Sequence, residues 1–244
     1  MTPRRNSYNP SSQEPFKLSR TALYDFIKCP RCFYTHRKLG IARPAIPGYS
    51  LNSAVDELLK KEFDYYRALQ KPHPIMAEYG INAIPFAHSS LDDWRNNFKG
   101  IGCLHDSTGL YLYGAIDDVW ITNDGEIIIV DYKSTSKAEK EVSLDDEWKD
   151  SWKKQLEVYS YIFQQNGYKV HDTAYFVYCN GKKELDNFEG KLDFDVTLVP
   201  YKWDASWVEE ALVNAKACLD YDYIPAYSDN CDYCKYLIKH QEIL

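Results

Sequence analysis

The chain lacks several features that define common protein classes. It has no run of about 18 apolar residues, so the sequence predicts no membrane-spanning helix. Its first residues contain no apolar segment of the kind that a secretory signal has, and no internal repeat occurs. We therefore expect a cytoplasmic protein with no membrane partner.

Excess positive charge is also lacking, because 29 basic side chains face 36 acidic ones and the formal net charge is −7. Taken over the whole chain, this balance argues against an extended nucleic-acid surface. One local segment, 28–38 (KCPRCFYTHRK), is basic. It is either an ordinary solvated face or a local binding patch, and charge alone does not decide between them.

The amino-acid pattern predicts one domain of mixed α/β type. Residues 1–16 are polar and predict a disordered leader, and 17–244 are predicted to form a single domain. Alternating helical and strand patterns favour a mixed central sheet flanked by helices. We expect helices over 16–26, 51–70, 89–98, 148–166 and 206–221, strands over 172–180 and 194–201, and an irregular connector over 71–85.

Two of the strongest motifs are C-x-x-C pairs near opposite ends of the chain. Cys29 and Cys32 form the first, and Cys231 and Cys234 form the second. Disulfides are not expected in a reducing compartment, whereas four thiolates suit zinc or an iron–sulfur cluster. Such a site would join the N- and C-terminal segments. The alternative is four unrelated buried or surface thiols.

A second motif is a hairpin centred on Asn123–Gly125, a turn sequence between two β-rich runs. A three-residue loop places Asp117 opposite Asp131, with their Cβ atoms about 4.5–5.5 Å apart. A two-residue loop pairs Asp118 with Asp131 instead. In both registers Lys133 shares a face with Asp131, because side chains alternate along a strand.

Asp131, one of these two acids, follows a run of residues that predicts a buried strand. Ile127–Val130 is an unbroken apolar run, typical of a strand covered on both faces, and Asp131 comes directly after it. Neighbouring carboxylates in such a place are costly unless a cation neutralises them, and their oxygens suit Mg²⁺ or Mn²⁺. The alternative is a solvent-facing strand end with ordinary surface charges.

These motifs together resemble a known superfamily of nucleases. Gly114–Asp117, followed by Asp131–Lys133, is similar to the core of the PD-(D/E)XK nucleases. The spacing of Gln155 and Tyr159, on one face of the next helix, resembles the Gln-x-x-x-Tyr motif of their RecB-like branch, which includes the iron–sulfur exonuclease of CRISPR adaptation. The resemblance covers about 19–234 and implies a restriction-endonuclease-like fold.

The resemblance also implies roles for individual residues. Asp117, Asp131 and the carbonyl of Tyr132 would bind Mg²⁺ or Mn²⁺, and Lys133 would act at the phosphate or the attacking water. The branch often has a metal-binding histidine on an earlier helix, where this chain has Asp56. An aspartate also binds hard cations. Asp56 is therefore either a further ligand or a solvated helix residue.

Gln155 and Tyr159 would orient the substrate, as in the branch. The four cysteines would hold a four-iron four-sulfur cluster, with a structural Zn²⁺ as the alternative. Related exonucleases usually take one cysteine from the N-terminal part and three from the C-terminal part. This chain offers two and two, with Cys218 as a substitute ligand.

The expected activity is that of a metal-dependent deoxyribonuclease, an exonuclease or end-processing enzyme on single-stranded DNA or duplex ends, with protein partners in a DNA-processing complex. One alternative is an inactive nuclease-fold module that binds DNA or assembles with other proteins. The other is a zinc-stabilised protein whose acids are incidental.

Overall fold

A computed structural model describes residues 7–44, 50–137 and 144–243 of the chain. Its elements, in chain order, are β1 (Phe16–Ser19), α1 (Arg20–Lys28), α2 (Pro30–Arg37), α3 (Ser50–Leu69), α4 (Pro74–Glu78), β2 (Ala83–Pro85), α5 (Leu91–Trp94), β3 (Ile101–His105), β4 (Leu110–Gly114), β5 (Asp118–Thr122), β6 (Ile127–Thr135), a 3₁₀ turn (Glu147–Lys149), α6 (Asp150–Gln165), β7 (Thr173–Gly181), β8 (Phe194–Lys202), α7 (Trp207–Asp220) and α8 (Asp232–Gln241).

The chain divides into two units, each made of separate stretches of sequence. The cysteine unit comprises Met1–Ile46, Gly102–Gly114 and Ser206–Leu244. The carboxylate unit comprises Pro47–Ile101 and Ala115–Ala205. Among the described helices, none is both long and apolar enough to cross a bilayer.

The cysteine unit contains a three-stranded sheet in the order β1-β4-β3, with β1 parallel to β4. Ser19 ends β1 and caps α1, because its side chain accepts the backbone N–H of Ala22 at 3.2 Å. Pro30 then stops α1 and begins α2, since proline suits the first turn of a helix. This junction fixes the position of Cys29.

The carboxylate unit contains a five-stranded sheet in the order β2-β5-β6-β7-β8. The pairing of β6 with β7 is parallel and the other pairings are antiparallel. Ile127–Val130 in β6 is at most 1% exposed, as expected of a strand covered on both faces. Ile128 and Val130 pack with Leu59 and Phe63 of α3, which places this helix over the strand that contains Asp131.

The mixed α/β class is confirmed, with two sheets flanked by helices. The helix predicted over 16–26 is wrong at its start, because Phe16–Ser19 pairs with β4 before the helix begins. The connector predicted over 71–85 contains α4 and β2. Within the predicted leader, the Tyr8 hydroxyl donates to Asp220 at 2.5 Å, and residues 1–6 lie outside the described part of the chain.

Candidate active site and cysteine cluster

The hairpin of β5 and β6 has the register that a three-residue loop predicts. Gly125 has φ +78°, the left-handed conformation that ends such a loop. The antiparallel pairs along β5 and β6, continued by one step, place Asp117 opposite Asp131. The two-residue loop, which would pair Asp118 with Asp131, is therefore wrong.

Asp117 and Asp131 lie at the end of this hairpin in a buried environment. Asp117 Oδ2 accepts the backbone N–H of Tyr132 at 2.8 Å. Burial, followed by the negative charge of Asp131, raises the pKa of Asp117 to about 7. Lys133 forms an ion pair with Asp131 Oδ2, so both acids and the lysine meet at one place as the strand alternation predicts.

The carboxylate of Asp131 has the properties of a cation ligand. Its side chain is fully buried, and neither of its oxygens accepts a hydrogen bond within the described part of the chain. Buried polar atoms of this kind normally have a hydrogen-bonding partner or a metal ion. The ammonium of Lys133 compensates only one of the two oxygens. The residues present therefore fit a hard divalent cation.

A cavity of about 570 Å³ adjoins these groups within the carboxylate unit. Asp117 and Lys133 form part of its wall, and Trp152 and Gln155 of α6 form another part. The Lys133 ammonium lies 5.5 Å from the centre of the Trp152 ring, within the range of a cation–π contact. The cavity gives a ligand direct access to one acid and to the lysine.

Gln155 and Tyr159, which the sequence predicts as a pair, have different surroundings. Gln155 Oε1 accepts the Lys133 ammonium at 3.4 Å and faces the cavity. Tyr159 is 2% exposed, and its hydroxyl donates to the carbonyl of Ala115, which also lines the cavity. Gln155 thus touches the lysine directly, whereas Tyr159 touches the backbone that leads to Asp117. Their roles in catalysis stay predictions.

Asp56, the residue at the position of the branch's histidine, also lines the cavity. Its Oδ2 accepts the ammonium of Lys60, one helical turn later on α3, at 2.6 Å. The same ammonium lies 3.9 Å from Asp117 Oδ1. Burial and then the charge of Asp117 raise the pKa of Asp56, and Lys60 opposes this shift. Metal binding by Asp56 stays a prediction.

A buried charge network holds the chain just behind Asp117. Asp118 is fully buried and pairs with the guanidinium groups of Arg67 and Arg95, the second at 2.9 Å. Asp64 pairs with the same two arginines. Arg95 Nε also donates to the backbone carbonyl of Asp117 at 2.9 Å. The network thereby fixes the backbone that bears the candidate ligand.

Sequence reasoning missed Lys60 and the arginines of this network. Lys60 had a usable signal, because it follows Asp56 by four residues on a helix, the spacing of a side-chain ion pair. Arg67 and Arg95 are 51 and 23 residues from Asp118 along the chain. Nothing local in the sequence indicates such long-range pairs.

In the cysteine unit, the two C-x-x-C pairs come together as predicted. The sulfur atoms of Cys29, Cys32, Cys231 and Cys234 all lie within 4.8 Å of one another, and the described residues contain no other group of three or more His, Cys, Asp or Glu side chains this close together. Three of the separations are 3.6–3.8 Å. Cys218 lies outside the group, with its sulfur 3.9 Å from the carbonyl of Pro30. The two-and-two set of cysteines is thus the one that the fold assembles.

Both pairs occupy the same position on a helix. Cys29 and Cys231 are the N-caps of α2 and α8, and the second cysteine of each pair lies in the first turn. A helix N-terminus favours a thiolate through its free N–H groups and its dipole. Burial opposes ionisation of Cys29, yet hydrogen bonds from backbone groups of Ser228 and Cys32 lower its pKa to about 7. Burial raises the pKa values of Cys32 and Cys234, so a metal ion would have to displace their protons. The cluster is therefore suited to a metal ion.

Paired acids with a lysine on a mixed sheet, next to an accessible cavity, are the features of a metal-dependent nuclease fold. Comparison with protein families supports this class directly. Residues 17–238 match the model of the PD-(D/E)XK nuclease superfamily. Because this match covers most of the chain, the protein belongs to the PD-(D/E)XK nuclease superfamily. Its members are phosphodiester hydrolases that use divalent metal ions.

Comparisons with individual proteins add less. None of the curated proteins compared with the chain matches it. One solved structure, the crystal structure of SSO0001, has 15% sequence identity and a TM-score of 0.44. The match covers 93% of this chain and 86% of that one. A likeness of this degree supports no conclusion about function.

Proposed function

We propose that this protein is a Mg²⁺- or Mn²⁺-dependent deoxyribonuclease. The observation that supports this most strongly is the carboxylate of Asp131, which is fully buried next to Asp117, with Oδ2 paired to Lys133 and Oδ1 without a partner among the described contacts. A structural ion pair would normally satisfy its oxygens. A buried carboxylate with one oxygen unpaired among the described contacts, beside an accessible cavity, is instead what a cation site requires.

Asp117, Asp131 and the carbonyl of Tyr132 would hold the ion. When bound, the ion would lower the pKa of water and offset charge on the phosphate. Lys133 would place its ammonium against a non-bridging phosphate oxygen, a role that suits a point charge. Gln155, which accepts from this ammonium, would keep it directed into the cavity.

We further propose an unpaired strand as the substrate, cut from an end, as in the RecB-like branch that the motifs resemble. Two tryptophans support this. Trp152 lines the cavity, and Trp148, 50% exposed, lies one helical turn before it with ring centroids 4.8 Å apart. The Lys137 ammonium lies 4.6 Å from the Trp148 ring. Exposed aromatic rings beside cations bind unpaired bases by stacking.

The test is hydrolysis of end-labelled single-stranded DNA, blunt duplex DNA and RNA of the same sequence in Mn²⁺. Asp131→Asn and Lys133→Ala should each lower the rate by about 10²-fold or more, because the first weakens binding of the ion and the second removes the ammonium that faces the phosphate. Lys169→Ala is the matched control, since Lys169 is exposed and pairs only with Glu126 among the ion pairs described. Hydrolysis at the wild-type rate in both site variants would exclude this mechanism.

A second candidate is an inactive nuclease-fold module that binds DNA or assembles with other proteins. It is favoured by Asp56, which stands where the branch has a metal-binding histidine and is engaged by Lys60. Calorimetry separates the two candidates. If the protein does not bind Mn²⁺, and Asp117→Ala leaves DNA affinity unchanged, the inactive module is the better description.

For the cysteine cluster we propose the zinc alternative over a four-iron four-sulfur cluster. Four sulfurs bound to one tetrahedral ion at about 2.3 Å are separated by about 3.8 Å. The separations of 3.6–3.8 Å agree with that arrangement. In a four-iron cluster each thiolate binds a different iron, which holds the sulfurs farther apart. Metal and sulfide analysis after anaerobic purification tests this, and bound iron with sulfide would contradict it.

A further inference from the structure

Lys60 stands between two carboxylates of the candidate active site. Its ammonium lies 2.6 Å from Asp56 Oδ2 and 3.9 Å from Asp117 Oδ1. The other oxygen of Asp117 accepts a backbone N–H, that of Tyr132. Asp56 and Asp117 would repel each other without a cation at this point, and burial, followed by the charge of Asp117, raises the pKa of Asp56. Lys60 also lines the cavity, so its ammonium can reach a ligand there.

The charges around the cavity indicate how many further cations it can hold. When ionised, Asp56, Asp117 and Asp131 supply three negative charges, and Lys60 and Lys133 supply two positive ones. Arg95 also lines the cavity, but its charge and that of Arg67 are matched by the two aspartates of the buried network. One divalent ion would leave a single positive charge, which one phosphodiester anion neutralises. A second divalent ion would leave a large excess of positive charge around the cavity.

In nucleases that use two metal ions, the ions lie about 3.5–4 Å apart and carboxylates bridge them. We propose that the Lys60 ammonium takes the place of the second ion here, so that the protein binds one divalent cation and Asp56 is held by Lys60 instead of ligating that cation. The inference rests on the proposed function, because the cation is that of the nuclease site. Lys60 and Lys133, which both line the cavity, would then both contact the phosphate.

The test is the number of Mn²⁺ ions bound per chain, measured by calorimetry on the full chain with the cysteine-bound metal determined separately. Wild-type protein should bind one ion at the carboxylates. Lys60→Met keeps the length of the side chain but frees both carboxylates, and it should bind two. Lys61→Met, on the exposed neighbouring position of the same helix, should bind one, as should Lys60→Arg, which keeps the charge.

A double variant tests whether Asp56 forms the new site. Lys60→Met with Asp56→Asn should return to one ion, because the second carboxylate is gone. Near-ultraviolet circular dichroism checks that each variant is folded. Hydrolysis by Lys60→Met should be at least about tenfold slower at limiting Mn²⁺, with partial recovery at higher Mn²⁺.

Two ions bound by the wild-type protein would overturn the inference and leave the nuclease proposal intact. Unchanged binding of one ion by folded Lys60→Met would overturn it as well. No ion bound by the wild-type protein would overturn the proposed function together with the inference. The three failures are therefore distinguishable, and the first and third need only the wild-type protein.

Discussion

The carboxylate site and the cysteine cluster differ in how far apart along the chain their residues lie. Asp117 and Asp131 belong to one hairpin, whose loop sets their register. Cys32 and Cys231, in contrast, are 199 residues apart and meet only when both ends of the chain are in place. Local turn chemistry therefore builds the first site, whereas the second depends on closing a long segment of chain.

The two sites also differ in how they manage charge. The acids have ammonium groups beside them, from Lys60 and Lys133, so their geometry can form before any divalent ion binds. The four thiols are close enough for an ion to bind all of them, and an ion that deprotonates them would link α2 to α8. We therefore expect a bound metal to govern stability at the cysteines and activity at the carboxylates.

The largest effect should follow from breaking the cysteine cluster. Cys234→Ser should abolish stoichiometric metal binding there, because it removes one of the four thiolates. Stability should fall with it, since the binding free energy of a structural ion is also folding free energy. We expect the free energy of unfolding to fall by about 3 kcal/mol or more, equivalent to a drop in Tm of about 6–12 °C for a chain of this size. Thermal unfolding with metal analysis measures both.

Cys218→Ala is the matched control, because Cys218 is buried in the same unit but lies outside the cluster. It should keep the metal. Wild-type stability in a Cys234→Ser protein that has lost its metal would mean that the cysteines do not hold the fold together, and the contrast between the two sites would disappear.

A smaller loss is expected from breaking the buried network behind the acids. Asp118 accepts the Tyr132 hydroxyl at 2.8 Å and pairs with Arg67 and Arg95. Asp118→Ala removes the fully buried partner of two guanidinium groups and leaves them with Asp64, so unfolding free energy should fall by about 1–3 kcal/mol. Because Arg95 also holds the Asp117 carbonyl, Mn²⁺ affinity should fall as well.

Chemical denaturation measures the first effect and calorimetry the second. Asp186→Ala, at an exposed position of the same unit, is the control and should stay within about 0.5 kcal/mol of wild type. If Asp118→Ala weakens Mn²⁺ binding without loss of stability, or the reverse, the network does not couple the fold to the ligand as proposed.

The site residues that could be predicted from the sequence are those that local rules bring together. The Asn123–Gly125 loop and the alternation of side chains suffice to bring Asp117, Asp131 and Lys133 together. The predicted helix at Phe16 failed because a parallel partner strand, 94 residues later, takes up Phe16–Ser19. Pairing of this kind depends on distant chain and leaves no local period to detect.

The same limit explains why the sequence does not predict which basic side chains neutralise the buried acids of the carboxylate unit. An aspartate on a half-buried strand predicts that some cation is needed, but it does not say which one. Lys133 could be predicted to lie beside Asp131, because the two residues are two positions apart on one strand. Asp118 takes its partners from α3 and from the residue after α5, and only the fold brings those together.

The smallest effect concerns Gln155 and Tyr159, which one motif predicts to act together. Tyr159→Phe removes the hydroxyl that donates to the Ala115 carbonyl, so unfolding free energy should fall by about 1–2 kcal/mol with at most a few-fold change in kcat. Gln155→Ala should lower kcat with little loss of unfolding free energy. Gln155 contacts Lys133 at the cavity and supports no buried backbone group in the contacts described. Denaturation and initial rates, measured on both variants, separate the two roles. A Tyr159→Phe protein of wild-type stability that is slower by tenfold or more would instead place the hydroxyl in the reaction, and the motif would act as one unit after all.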